Sequence, residues 1–142
     1  MIEQKESSLI HSLIGLSSYI QKRMSRALSV HGIGVTEYLV LNQLYITPTQ
    51  TLRRSDLAEQ IGLSPSGITR LINPMEKMGL VKKEENIRDA RVSLVALSAA
   101  GQQIYEDAQT SFTSTSVALL EPLEEKQLDV FTQLLKAIAK AG

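Results

Sequence analysis

A group of side chains between Ser66 and Asn73 has the chemistry to read a surface rather than to break a bond. Ser66, Arg70 and Asn73 recur at the spacing of one helical face, with Lys77 a turn further on and Thr69 at its edge. Between them they can donate and accept hydrogen bonds, and most are short enough to let the helix backbone approach a partner. A helix that enters the major groove of duplex DNA by its first turns needs such a face. An ordinary solvated helix face can carry the same residues, so the surrounding elements have to decide. A second group lies at Asn86 to Arg91, a polar segment in which Arg88 and Arg91 bracket Asp89.

Catalytic chemistry has little to work with. His11 and His31 are far apart, and no His-x-x-x-His or Glu-x-x-His pair marks a metal site. There is no phosphate-binding glycine loop, nucleophile elbow or paired-carboxylate motif. Glu124 and Glu125 read as favourable negative charge at a helix start. Neither an enzyme nor a metal or other cofactor is expected. The chain has no cysteine, which removes disulfides, cysteine-rich zinc sites and thiol-based peroxide sensing.

The elements that would position the two polar groups follow from apolar spacing. Leu57, Ala58 and Ile61 give one helical face, and Gly62 ends it where a positive φ is cheap. Leu63 is a packing spacer. Ser64 and Pro65 suit an N-cap and first helical position, since proline has no amide hydrogen to lose there. The next helix puts Ile68, Leu71, Ile72 and Met75 inward, and Gly79 closes it. Leu80 and Val81 begin a strand, and Val92, Leu94 and Ala96 are expected to alternate inward on a second, with Asn86 to Arg91 as the basic-tipped connection. Helix, short turn, helix and hairpin in this order form a winged helix-turn-helix.

Long helices flank this module. Leu9, Leu13, Leu16, Ile20, Met24 and Leu28 form a stripe, with Ile10 and Ile14 beside it, on a helix expected from about Ser7 to His31 and ended by Gly32 and Gly34. Thr36 is expected to cap a helix through Leu39, Leu41, Leu44 and Tyr45, with its Glu37–Tyr38 face partly free. Thr51 and Leu52 suit a short strand that closes the wing sheet. Ser98 caps a further helix carrying Ile104, Ala108 and Phe112, whereas Thr110 to Ser116 is poor helix material that also reads as a linker. After Pro122, Leu128, Phe131, Leu134, Leu135 and Ile138 define a last amphipathic helix. One protomer offers too little core to cover both terminal stripes, so pairing with a second copy is expected.

The run DLAEQIGLSPSGITRLINPMEKMGLV, followed by RDARVSLVALSAAG, resembles the multiple antibiotic resistance regulator (MarR) family. The similarity rests on D-L-A, the G-L-S-P-S turn, G-L-V after the second helix, the wing D-x-R (Asp89, Arg91) and the closing L-S-x-x-G, over roughly Leu52 to Gly101. The flanks match mainly in helical pattern. Two departures stand out. Arg53 occupies a position where the family often has threonine or serine as helix cap, so the cap is expected to move to Ser55 or to be missing. Pro74 lies inside the second helix, where it removes the bond to the Arg70 carbonyl; a kink or an early end at Asn73 is expected.

The resemblance implies a mainly α (α+β) fold: a winged helix-turn-helix over 36–98, with helices of 1–35 and 99–142 forming a dimerisation domain. It implies a bacterial, cytoplasmic homodimer that binds double-stranded DNA at a pseudo-palindrome and regulates transcription, as a repressor. The DNA-binding set is Arg54, Ser64, Ser66, Gly67, Thr69, Arg70, Asn73, Arg88, Asp89 and Arg91. Within it the resemblance sends Arg91 into the minor groove and uses Asp89 to hold the wing. It also implies a crevice for a small aromatic or phenolic effector, for which Tyr19, His31, Tyr38 and Tyr45 combine apolar bodies with polar tips. A winged helix used only to bind other proteins is the alternative, opposed by Arg88, Arg91 and the polar face from Ser66 to Arg70.

Length and charge agree with this reading without requiring it. The chain has 142 residues, 43% of them hydrophobic, which suits one compact unit or two small ones sharing a core. Net charge is zero, but from Thr51 to Ala96 eight basic residues face six acidic ones, while three face six after Ala96. The middle of the chain is therefore the part directed at phosphate. MIEQKESS lacks a signal-peptide pattern, and no apolar run is long enough for a membrane span.

Overall fold

The computed structural model describes residues 2–140; residue 1 and residues 141–142, the extremes of the predicted terminal segments, lie outside the described residues. The elements in order are α1 (Ile2–Ser29), α2 (Val35–Ile46), β1 (Thr51–Arg53), α3 (Arg54–Ile61), α4 (Pro65–Lys77), β2 (Val81–Glu85), β3 (Ser93–Leu97), α5 (Ala99–Leu120) and α6 (Glu125–Lys140). The three strands form one antiparallel sheet with β3 in the centre: Leu52 faces Val95 on one side, and Lys83 faces Val95 on the other. No helix among the described residues is long and apolar enough to cross a membrane.

One buried cluster joins the elements. Leu41 and Leu44 of α2, Leu57 of α3, Ile68, Ile72 and Met75 of α4, and Val95 of β3 pack with Leu28 of α1 and Tyr105 and Ala108 of α5. Each large aliphatic side chain buried in this way stabilises the fold by about 1.5–3 kcal/mol. The cluster fixes α4 against α3 and the start of β2, and α2 links this module to α1 and α5.

The helix-turn-helix forms as the sequence predicts. Gly62 ends α3 at φ 74°, a left-handed conformation that side chains with a Cβ rarely adopt. The Ser64 hydroxyl accepts from the Gly67 amide at 3.0 Å, and Pro65 takes the first position of α4. Ser98 caps α5 in the same way, accepting from the Gly101 amide at 2.9 Å. Gly101 is required for a different reason: a Cβ there would lie 2.0 Å from the Leu80 carbonyl oxygen, so α5 and the start of the wing touch backbone to backbone.

Several expectations are corrected. Helix α4 does not end at Asn73 but runs through Pro74 to Lys77. Ile72 and Met75 are fully buried on either side of the proline, so packing offsets the lost hydrogen bond. Helix α1 starts at Ile2 rather than Ser7 and stops at Ser29. Helix α2 is capped at Gly34 rather than Thr36, with the Gly34 amide donating to Glu37 Oε1 at 2.7 Å. Tyr38 on that helix is buried, not partly free. Arg53 occupies the N-cap of α3 with no side-chain bond, so the missing-cap alternative holds.

On β3 the inward side chains are Val95 and Leu97, one residue out of phase with Val92, Leu94 and Ala96. Ala96 is buried too, since a central strand is covered by its neighbours. Thr110 to Ser116 is not a linker: α5 continues through it. Phe112 stacks on Tyr38 with ring centroids 4.5 Å apart, the Ser111 hydroxyl bonds His31 Nε2 at 2.8 Å, and the Ser116 hydroxyl bonds back to the Phe112 carbonyl. Tertiary contacts outweigh the weak propensity of threonine and serine.

Candidate nucleic-acid interface

Two structures build the polar surface of the winged module. The first is the outer face of α4. Ser64, Ser66, Arg70 and Asn73 are exposed along it, with Lys77 at its far end, while Gly67 and Thr69 are half-buried. Gly67 lets the cap close tightly, because a Cβ would meet the Ser64 hydroxyl at 3.1 Å. Among the described residues, Arg70 and Asn73 make no side-chain hydrogen bond within the protein, so both present their full donor capacity outward.

Thr69 is held from beneath. Its hydroxyl donates to the Pro65 carbonyl at 3.1 Å and accepts from Arg54 Nη1 at 3.3 Å. Arg54 opens α3, so this contact ties the first helix of the pair to the second. Two of its nitrogens, Nε and Nη2, are buried without a protein partner. Arg54 thus braces α4 rather than standing on its outer face, a placement that sequence spacing could not show.

The second structure is the wing. Asn86 Oδ1 accepts from the Arg88 amide at 2.9 Å, and Asp89 Oδ1 accepts from the Arg91 amide at 3.0 Å. Two successive turns result, with Asp89 N bonded to the Asn86 carbonyl and Val92 N to the Asp89 carbonyl. Asp89 then grips the Arg91 guanidinium, taking Nε at 3.1 Å on one oxygen and Nη2 at 3.3 Å on the other. The Arg91 hydrogen bonds, side chain first and backbone second, hold the Asp89 carboxyl below the usual carboxylate range. Arg91 itself remains 91% exposed, held by a planar two-point pair yet open to a partner. Sequence reasoning placed Asn86 in this connection but gave its side chain no role, although Asn and Asp side chains that bond the backbone two residues on are a readable turn signal.

The four residues proposed for an effector do not meet in one place. Tyr38 stacks between Tyr105 and Phe112, and Tyr45 leans on Tyr105 at 4.6 Å. The Tyr105 hydroxyl, which sequence reasoning missed, donates to Asn42 Oδ1 at 2.6 Å. Burial, with Tyr105 beside it, pushes the Tyr38 hydroxyl above the ordinary tyrosine range. His31 sits nearby on Ser111. Tyr19 is apart, half-exposed on α1, where it accepts from Arg23 and lines an open apolar cavity of about 280 Å³ with Leu16, Phe131 and Leu135. A second apolar cavity of about 290 Å³ lies against Met24, Val35 and Phe112, and none of the four lines it. Among the described residues no group of three or more His, Cys, Asp or Glu could hold a metal ion.

A family model described as the MarR family matches residues 31–92, from just after α1 to the end of the wing connection before β3. That match spans less than half of the chain, over the part that holds the helix-turn-helix. Among MarR-type relatives, the HTH-type transcriptional regulator PrsX of Escherichia coli is 27% identical over 97 residues, covering 68% of this chain and 58% of PrsX. The uncharacterized HTH-type transcriptional regulator YhbI of Bacillus subtilis is 23% identical over 99% of this chain and 93% of its own. In fold, the chain is similar to Sco3205, a MarR family transcriptional regulator from Streptomyces coelicolor solved in complex with DNA. That TM-score is 0.90 at 19% identity, over 97% of this chain and 88% of that one. The MarR-family match takes in α3, α4, β2 and the wing connection through Arg91, which carry both polar structures described above, and stops before β3.

Proposed function

We propose that this protein is a cytoplasmic transcription regulator of the MarR type that binds duplex DNA as a homodimer on a pseudo-palindromic operator and acts as a repressor. One observation carries this reading: the same rigid module exposes Arg70 and Asn73 on α4 and a turn-locked Arg91 on the wing. The helix face suits base edges in the major groove, and the wing arginine suits the neighbouring minor groove. Arg88, Lys82 and Lys83, all exposed, supply charge for phosphate. The DNA complex of Sco3205 supports the reading by likeness of fold.

The terminal helices supply the dimer. Leu9, Ile14, Leu134 and Ile138 are each more than half exposed, and α6 buries none of its residues within the protomer. An uncovered stripe of this size favours a second copy of itself. The helices of 1–35 and 99–142 form the dimerisation part, and 36–98 the DNA-binding part. A small aromatic or phenolic effector binding near the Tyr38–Phe112 stack would release DNA by moving the two parts. A gel shift with the protein's own upstream DNA tests the core of the proposal; a retarded band abolished by excess specific duplex, but not by unrelated duplex, is the expected result.

A further inference from the structure

We propose that Ile87, at the tip of the wing, is an apolar minor-groove contact that seats Arg91; this rests on the DNA-binding reading above. Ile87 is fully exposed, the most exposed large apolar side chain among the described residues. A single exposed isoleucine is ordinary on a protein surface. Its setting is not. The other strongly exposed apolar residues of α1 and α6 belong to the uncovered stripes, whereas Ile87 stands alone among charges, next to Arg88 and two residues from Asp89.

The tip is also held in shape. Ile87 follows Asn86 in the turn closed by the Asp89 amide on the Asn86 carbonyl, and the Asn86 side chain binds the Arg88 amide. Just beyond, Asp89 fixes the Arg91 backbone and guanidinium together. Little order remains to be imposed on binding, so an apolar contact made here is not offset by the entropy of freezing a loop.

A minor groove fits this mixture of groups. Its negative potential draws in the arginines, deoxyribose C–H surfaces form its walls, and other minor-groove proteins also bring apolar side chains, isoleucine among them, into the groove as wedges at base steps. Ile87 would lie along one wall while Arg91 reaches toward the floor. Leucine preserves that contact, serine removes it, and neither changes the charge.

The test uses the full chain, a duplex selected by the wild-type protein from a random library, and binding isotherms over a salt series. Ile87→Ser is expected to bind about tenfold more weakly, the scale of a partly buried isoleucine, with Ile87→Leu close to wild type. The salt slope of Ile87→Ser should equal that of wild type, whereas Arg88→Ala lowers it by losing a phosphate contact. Wild-type affinity for Ile87→Ser overturns the proposal while leaving DNA binding intact. A loss accompanied by a reduced slope also overturns it, because displaced arginines then explain the loss. If the wild-type chain selects no duplex at all, the DNA-binding reading fails first and the Ile87 contact fails with it.

Discussion

Asp89 holds Arg91 through three hydrogen bonds, one to its backbone amide and two to its guanidinium, at 3.0, 3.1 and 3.3 Å. In the proposed complex the pair sets an aspartate beside DNA, where its charge would otherwise only repel. Arg91→Ala is expected to lose more affinity on an A·T-flanked operator than on a G·C-flanked one, because the narrow groove has the stronger potential. Asp89→Asn should reproduce part of that loss. Binding isotherms for both variants on both operators check this; tighter binding by Asp89→Asn would leave repulsion as the only role of that carboxylate.

The same pair sets a pH dependence. The folded-state pKa of Asp89 is depressed, so the pairing is fully present above the ordinary aspartate range and is lost as pH falls through the lower folded value. Wing geometry should therefore be unchanged from neutral pH down to mildly acid conditions and loosen only below the usual carboxylate range. Carboxyl chemical shifts of Asp89 during an acid titration check the direction. A midpoint above that of a free aspartate would contradict the pairing.

Arg70 tests the reading face of α4. A good bidentate base contact contributes about 1–3 kcal/mol of discrimination. Arg70→Ala should weaken operator binding by that order and relax sequence preference, measured by isotherms on the selected duplex and on single-base variants. Unchanged affinity would move the reading face away from Arg70.

Gly101 tests the junction of wing and α5. The Leu80 carbonyl oxygen lies where an alanine Cβ would go, so Gly101→Ala must push the two backbones apart. Overpacking of this kind costs about 1–3 kcal/mol, and backbone is less able to yield than a side chain. Thermal unfolding should show a clear fall in Tm. An unchanged Tm would mean that α5 shifts freely against the wing.

How much of this was legible beforehand depends on the range of the forces involved. Local rules located the left-handed Gly62, the Ser64–Pro65 start of α4 and the Ser98 cap, since each is settled within a few residues. Pro74 misled because its cost is local while the burial of Ile72 and Met75 is not. The phase of β3 was misjudged because a central strand is apolar across Val95, Ala96 and Leu97 together, which blurs alternation. In the candidate site, the types and spacing of Arg70 and Asn73 placed them correctly on the outer face of α4. The bracing of Thr69 by Arg54 joins residues fifteen apart through packing, and no spacing rule reveals it.

The proposed dimer rests on uncovered apolar surface, so charge placed there should abolish it. A Leu134→Glu, Ile138→Glu double variant is expected to be a monomer by light scattering at micromolar concentration, against a wild-type dimer. It should also lose most of its operator affinity, because each protomer alone holds half the contacts. A folded wild-type monomer at that concentration would rule out pairing through α6.

The most direct measurement is selection of duplexes from a random library by the full wild-type chain, followed by the mass of the complex it forms. Enrichment of a pseudo-palindrome whose half-sites are separated by about one helical turn or a multiple of it, bound by two chains per duplex, is the expected result. Recovery of duplexes with no shared sequence, or of none, would contradict sequence-specific DNA binding by this protein.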